Sequence, residues 1–494
     1  MGDETRSLSE LGLTARGGRD ARISGISVDS RAVMPGHLFA AMPGTRVHGA
    51  TYIDTALAQG AAAILTDAEG ARLAAEALGE SGAAVVIAAD PRQALAYAAA
   101  LWSGAQPEIM VAVTGTNGKT SVATFVRRIW QELGFRAVNL GTTGVEGDWQ
   151  APLRHTTPEP ITLHKALADA AREGVDHAAM EASSHGLDQR RLDGVQLKAA
   201  GFTNFTQDHL DYHADFEEYF AAKAGLFARV LPEEGTAVVN IDDARGVDIL
   251  AIAQARGQAT ITVGEAEGAD LRLLGQRFDA TGQELRLSWH GVVEQLRLPL
   301  IGGFQGENAL VAAGLCIACG SEAEDVFRGL ERLETVRGRM QLAATRDNGA
   351  AVYVDYAHTP DAVSTAIRAL RPHVMGRLVA IVGAGGDRDS GKRPLMGAAA
   401  HEHADLVIVT DDNPRSEDPA AIRAQVLAGA PEAIEVGDRA EAILRGVDAL
   451  GPGDALLVCG KGHESGQIVG DTIYPFDDVE QASVAVAALD GRGL

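Results

Sequence analysis

Val111-Ala-Val-Thr-Gly-Thr-Asn-Gly-Lys-Thr-Ser121 decides how this chain is read. Met110 to Val113 is an apolar run that reads as a buried strand. The run breaks at Gly115, and after Gly118-Lys119-Thr120 the pattern turns helical. A strand, a glycine turn and a helix N-terminus in this order form a phosphate cradle. The glycines let backbone N–H groups face the anion, and the helix presents its positive end. Lys119 then reaches the terminal phosphates and the Thr120 hydroxyl a magnesium ion, with Gly115, Thr116, Asn117, Gly118 and Ser121 completing the loop. The usual P-loop has a glycine five residues before the one that precedes lysine, and Val113 stands there instead. The segment is therefore a variant, T-G-T-N-G-K-T, and it predicts binding of a nucleoside triphosphate.

The 494 residues suggest about three domains. Hydrophobic residues make up 46% and charged residues 22%, so each domain can bury an ordinary core. The formal net charge of −24 argues against nucleic acid or a membrane surface as partner. Three cysteines, no apolar leader and no membrane-length apolar run suggest a soluble, reduced, cytoplasmic protein, expected to be a monomer. Cys316 and Cys319 lie in a helical run without a second pair and read as small core residues.

Outward from the cradle, apolar strands alternate with alanine-rich helices, the grammar of a parallel α/β sheet. Candidate strands before the cradle are Ile26 to Val28, Leu38 to Ala41, Ala62 to Leu65 and Ala84 to Ala88. After it come Ala137 to Leu140, His177 to Met180, Ala199 to Phe202 and Thr236 to Asn240. Residues 257–300 lose the helical period and read as short strands at an antiparallel edge. A helix from about Asn308 closes this block near residue 336.

In the last block four strands each run into a polar loop: Asp355-Tyr-Ala-His358, Gly383-Ala-Gly-Gly-Asp-Arg388, Asp411-Asp-Asn-Pro-Arg415 and Gly460-Lys-Gly-His-Glu464. Open α/β sheets bind ligands beyond the carboxyl ends of their strands, so these loops should gather at one edge. No acidic residue follows the G-A-G-G stretch at the distance a dinucleotide fold needs, which makes a nicotinamide site a weak reading.

These segments, with Asp29-Ser-Arg31, Thr156-Thr-Pro-Glu159, Glu181-Ala-Ser-Ser-His-Gly186, Asn204-Phe-Thr-Gln-Asp-His-Leu-Asp-Tyr-His213 and Lys223, resemble the Mur ligases of the MurE type in order and along essentially the whole chain. The resemblance implies an α/β protein of three domains. Residues 1–106 would bind the UDP-MurNAc nucleotide, 107–336 would form a P-loop-type ATPase domain with a mostly parallel sheet, and 337–494 a Rossmann-like domain for the amino acid. It implies a step of peptidoglycan precursor synthesis. ATP phosphorylates the γ-carboxyl of D-glutamate in UDP-MurNAc-L-Ala-D-Glu, and the amine of meso-diaminopimelate displaces phosphate.

The same resemblance assigns residues. Lys119, Glu181, His209 and Lys223 are the implied catalytic set, with Thr120, Glu181, His209 and Lys223 around Mg2+. Lys223 would act as a carbamate formed from CO2. Its apolar run, Tyr219 to Phe227, favours a nucleophilic lysine, against the alternative of a surface lysine reaching for water. His213 reads better as a residue on a solvated helix than as a zinc ligand paired with His209. Asn308, Arg339 and Asp355 are the implied further ATP contacts, and His358 either joins them or orders its loop. Ser30, Thr45, Arg46, Val47, Thr156, Thr157, Ser183, Gln189 and Arg191 are the implied contacts for the UDP-MurNAc peptide. His155 departs from many relatives.

Arg388, Asp412, Asn413, Pro414, Arg415, Gly460 and Glu464 match the diaminopimelate pocket. A guanidinium fork at Arg415 suits the distal carboxylate of diaminopimelate, which lysine lacks. L-lysine as acceptor is the nearest alternative, and a nucleotide-binding protein without catalysis is the alternative of a different class.

Overall fold

A computed structural model describes residues 5–44, 47–206 and 212–491. Among these the strands form three main sheets, each within its own stretch of chain. The first has four parallel strands in sequence order: Gly25–Ser27, His37–Ala40, Ala63–Thr66 and Ala84–Ile87. These fall within a residue of the strands expected from the sequence. A small antiparallel pair, Arg6–Ser7 with Ile23 and Arg22, lies beside it.

The second sheet has ten strands, with Ile109–Thr114 between Ala199–Phe202 and His177–Glu181. Its middle is parallel, from Ala137–Gly141 across to Ala259–Gly264. The expected antiparallel edge is a meander of Leu271–Asp279, Gly282–Trp289 and Val292–Leu298. An antiparallel strand at the other end, Gly144–Gly147, had no clear signal because its sequence, Gly-Val-Glu-Gly, lacks an apolar run.

Period-two alternation explains how this sheet is covered. Val111 and Val113 face one side, packed with Val122, Phe125, Val126 and Ile129 of the helix Lys119–Glu132. Met110 and Ala112 face the other side, with Leu163 and Leu167 of the helix Pro160–Arg172. A strand buried on both faces reads as continuous hydrophobicity, which is why Met110 to Val113 shows no polar alternation. Burying each such large apolar side chain contributes about 1.5–3 kcal/mol. Cys316 belongs to this core, as the sequence suggested.

The third sheet has the order Gln341–Thr345, Ala351–Asp355, Ala455–Cys459, Leu378–Val382, Leu406–Val409, Ile434–Glu435. All neighbours are parallel except the first pair. The four polar loops therefore do leave one edge. A hairpin, Gly466–Val469 with Thr472–Pro475, lies outside the sheet on that side and has no counterpart in the sequence reading.

Beneath the loops, Arg439 and Asp478 form an ion pair with both side chains fully buried, Nη2 to Oδ2 2.7 Å. Arg439 also donates to the Cys459 carbonyl, 2.9 Å. Removing one partner strands the other charge out of water. Asp478→Ala should therefore lower unfolding free energy by about 3–5 kcal/mol in urea titration, whereas the double variant Arg439→Met, Asp478→Leu should recover most of it. Equal losses in the two proteins would refute this account of the pair.

Candidate functional site

Parallel strands of the central sheet deliver their carboxyl ends to one rim. Ile109–Thr114 leads into the glycine loop, Ala137–Gly141 into Thr142, His177–Glu181 into Ser183, and Ala199–Phe202 into Asn204. Gly115 has φ +146°, and a Cβ there would lie 1.9 Å from Thr203 Oγ1. Gly118 has φ +87°, and its Cβ would meet Asn308 Oδ1 at 2.3 Å. Both positions need glycine because left-handed backbone and close approach coincide. The helix Lys119–Glu132 starts after Gly118 without a side-chain cap, and its positive end meets the glycine loop. Lys119 Nζ donates to the carbonyls of Gly115 and Thr116, 2.8 Å each. Asn117 N donates to Asn204 Oδ1 at 2.9 Å, tying the loop to the next strand end.

Glu181 is 2% exposed. Thr120 Oγ1 donates to its Oε2 at 3.0 Å and Thr142 N to its Oε1 at 2.8 Å. A hydroxyl and a buried carboxylate at this separation are hard oxygen donors of the kind Mg2+ takes, beside the phosphate cradle. Gly141 permits this, since a Cβ there would stand 1.9 Å from Glu181 Oε1. Thr142 was missed by the sequence reading, although its place after a parallel strand was the available signal.

A cavity of about 460 Å3 joins this rim to the third sheet. Gly118, Lys119, Thr120, Glu181, Lys223 and Asn308 line it from the central block, and Arg339, Asp355, Tyr356 and Ala357 from beyond. Arg339 crosses the junction: its Nη2 donates to Thr120 Oγ1 at 3.3 Å, and its guanidinium stacks 4.6 Å from the Tyr356 ring. Asp355 accepts from the backbone N of Met340 and Ala357, 2.7 and 2.9 Å. Burial pushes its carboxyl above the usual range, against the pull of Arg339.

Lys223 is 1% exposed, which sets aside the surface alternative. Its Nζ donates to the Gly115 carbonyl at 2.7 Å and sits 4.6 Å from the Tyr219 ring centre. His213 is a correction. It stands in the turn before the helix Phe216–Gly225 and not on a solvated helix, 1% exposed among the rings of His185, Tyr212 and Tyr219. Thr45, Arg46 and His209 lie outside the described residues.

The remaining predicted residues form two groups. Thr157 Oγ1 donates to the Glu181 carbonyl and accepts from Ser183 N, 2.9 and 3.1 Å. Arg191 Nη1 donates to the Thr157 carbonyl at 2.7 Å and its Nη2 to Gln189 Oε1 at 2.8 Å. Thr156 shares a 3.0 Å hydrogen bond with Thr142. Ser30, in the first block, is buried in a 3-10 turn capped by Asp29, and Val47 is exposed. The second group is the loop edge of the third sheet. Arg415 Nη1 donates to the Gly386 carbonyl at 2.7 Å, and Asp412 and Asn413 are buried. Asn413 Nδ2 donates to Glu464 Oε2 at 2.9 Å, whereas Arg388 is exposed. Gly460 N donates to the Asp355 carbonyl at 3.1 Å.

Glu307, also missed, lines the cavity one residue before Asn308. Burial first, then the carboxylates of Asp242 and Glu265, push its carboxyl up to about 7, against a hydrogen bond with Asn240. A carboxyl whose folded value exceeds its unfolded value stabilises the fold at low pH, and that stability is lost as pH rises through about 7. Glu307→Gln should therefore raise the melting temperature at pH 8, by on the order of 2 kcal/mol in stability, and change it little at pH 5. A variant equally shifted at both pH values would exclude this origin.

A glycine-bent cradle shared between two parallel sheets defines a nucleotide-using α/β protein of several domains. The Mur ligase middle domain matches residues 113–316, the Mur ligase glutamate ligase domain 338–462 and the Mur ligase family catalytic domain 22–113. The UDP-N-acetylmuramoyl-L-alanyl-D-glutamate--2,6-diaminopimelate ligase of Caulobacter vibrioides is 50% identical over 98% of this chain and 100% of that protein. The ligase of the same name from Agrobacterium fabrum is 48% identical over 100% and 99%. A solved structure of a ligase so named superposes with TM-score 0.72 at 33% identity, covering 98% of this chain and 99% of that one. MurF from Acinetobacter baumannii, at 19% identity and TM-score 0.63, covers 93% and 96% and shares the fold. The chain belongs to the Mur ligase family.

Proposed function

We propose that this protein is an ATP-dependent ligase that joins meso-diaminopimelate to the D-glutamate γ-carboxyl of UDP-N-acetylmuramoyl-L-alanyl-D-glutamate, a step of peptidoglycan precursor synthesis. The observation that carries the reading is 50% identity to a ligase of that name over 98% of this chain and the whole of the relative. Residues 1–106 serve the uridine nucleotide through Ser30, Thr45, Arg46 and Val47. Residues 107–336 serve ATP, and 337–494 the amino acid. The reaction places the protein in the cytoplasm, with its ATP and nucleotide substrate. Among the described residues no helix is long and apolar enough to cross a membrane.

ATP binds with its phosphates over Gly115 to Ser121. Lys119 and the helix N-terminus neutralise the charge that several anions bring together. Asn308, Arg339 and Asp355 complete the nucleotide site from both sides of the junction, so closure of the third sheet assembles the centre. Mur ligases use Mg2+. Thr120 and Glu181 supply hard oxygen donors for it, joined in this reading by His209 and by Lys223 as a carbamate. When bound, the ion offsets negative charge on the transferring phosphoryl group.

Thr156, Thr157, Ser183, Gln189 and Arg191 hold the peptide end of the nucleotide substrate. Its γ-carboxylate oxygen attacks the γ-phosphorus, the bond to ADP breaks, and an acyl phosphate forms. The diaminopimelate amine attacks the acyl carbon, phosphate leaves with the C–O electron pair, and the amine gives up a proton as the amide forms. Arg415 pairs with the distal carboxylate and Glu464 with the distal ammonium, among Arg388, Asp412, Asn413, Pro414 and Gly460.

The test is phosphate release with ATP, Mg2+ and the UDP-linked dipeptide, with meso-diaminopimelate and L-lysine in parallel. Release dependent on diaminopimelate supports the reading. Release with lysine alone overturns the acceptor, and none with either overturns the ligase.

A further inference from the structure

Lys461 has no part in the chemistry above, yet it is completely buried. Its Nζ donates to the Gly466 carbonyl at 2.6 Å and to Asn413 Oδ1 at 2.9 Å, and lies 3.4 Å from Glu464 Oε2. An ammonium taken out of water is tolerated only where acceptors surround it, and these three come from two pieces of chain, the segment that follows Lys461 itself and a loop 48 residues away. Gly466 opens the hairpin, Asn413 belongs to the Asp412–Arg415 loop, and Glu464 ends the glycine loop.

The hairpin is bonded to the Asp412–Arg415 loop throughout. Asn413 Oδ1 also accepts from Ile468 N at 2.9 Å, and Gln467 Nε2 donates to the Asp412 carbonyl at 2.8 Å. Arg415 N donates to the Ile468 carbonyl at 3.0 Å, and the Arg415 carbonyl accepts from Gly470 N at 2.7 Å. Between those two bonds Arg415 holds a left-handed backbone, φ 50°. That conformation costs a non-glycine residue of order 1–3 kcal/mol and persists only where its surroundings impose it. Here the hairpin imposes it.

We infer that Lys461 is a positioning residue for the amino-acid pocket, and that with the hairpin it fixes Arg415 and Glu464 as one rigid unit. The inference rests on the ligase reading for what enters the pocket. Its chemistry is that of a dicarboxylate amino acid met by a guanidinium and a carboxylate at a set spacing. Lys461 neutralises part of the Glu464 charge and engages only Oε2, which keeps the second oxygen for a ligand ammonium.

The test measures Michaelis constants of the full chain and its Lys461→Gln and Gln467→Ala variants, with hydrogen exchange over residues 411–416. Loss of a charge-assisted bond predicts a rise of about tenfold or more in KM for diaminopimelate with Lys461→Gln, and of about threefold with Gln467→Ala. KM for ATP and for the nucleotide dipeptide should stay within about twofold, since their sites touch neither residue. A merely structural role would move all three constants together, and that outcome overturns the inference. So does an unchanged KM for diaminopimelate in either folded variant. If Lys461→Gln does not fold, Gln467→Ala decides alone.

Wild-type turnover separates the two readings. If the wild type prefers another amine, the ligase reading loses its acceptor and the same KM comparison is made with that amine. If it turns over nothing, faster exchange at 411–416 in the variants supports the positioning role and unchanged exchange overturns it.

Discussion

Lys223→Ala should reduce turnover about a thousandfold, the scale of losing several kcal/mol of charge stabilisation at a phosphoryl-transfer centre. Lys223 is buried and lines the cavity that also holds Thr120 and Glu181. In the proposed reading Lys223, beside Ala221, Ala222 and Ala224, is carbamylated by CO2, so that an anion would stand where the unmodified side chain is a cation. Removing the side chain removes that anion. Formate or acetate at high concentration should enter the space left behind and restore part of the rate. Phosphate release by the variant, with and without added acid, checks this, and thermal melting guards against simple unfolding. A folded variant that no short carboxylate rescues would count against the carbamate. A variant with nearly full activity would remove Lys223 from the mechanism.

Arg415→Ala should raise KM for diaminopimelate about a hundredfold and leave KM for ATP nearly unchanged. A bidentate guanidinium–carboxylate pair is worth a few kcal/mol where water is partly excluded. Arg415 is half-buried, with Nη1 on the Gly386 carbonyl. The variant should also lose preference for diaminopimelate over L-lysine, because the guanidinium that lysine leaves unpaired is gone. Steady-state kinetics with both amines and with ATP decide the matter. Equal effects on ATP and diaminopimelate would reassign Arg415 to holding its loop.

The strands were legible wherever burial on both faces left an unbroken apolar run. Ala199–Phe202 and Thr236–Asn240 are the expected residues, and the polar loops of the third sheet leave from one edge as anticipated. Gly144–Gly147 was not legible because Val145 is its one large apolar residue, and the hairpin Gly466–Pro475 was passed over although Ile468-Val469 and Ile473-Tyr474 flank a two-residue Gly-Asp turn. His213 was misread for a related reason. A polar residue in a stretch without apolar periodicity says nothing about which neighbour covers it, and here His213 lies in a turn covered by three rings.

Sequence by itself determined which residues stand at the strand ends, with the glycines, Lys119 and Thr120 after Ile109–Thr114, and the family to which their order belongs. These depend on residues close together in the chain, where backbone geometry leaves few alternatives. Only the tertiary structure decided what meets across it. Arg339 reaches Thr120 from 219 residues away, Lys223 reaches the Gly115 carbonyl from 108, and Lys461 ties a loop 48 residues distant to a hairpin. Such contacts are set by how sheets and loops pack, and local periodicity carries no record of that packing.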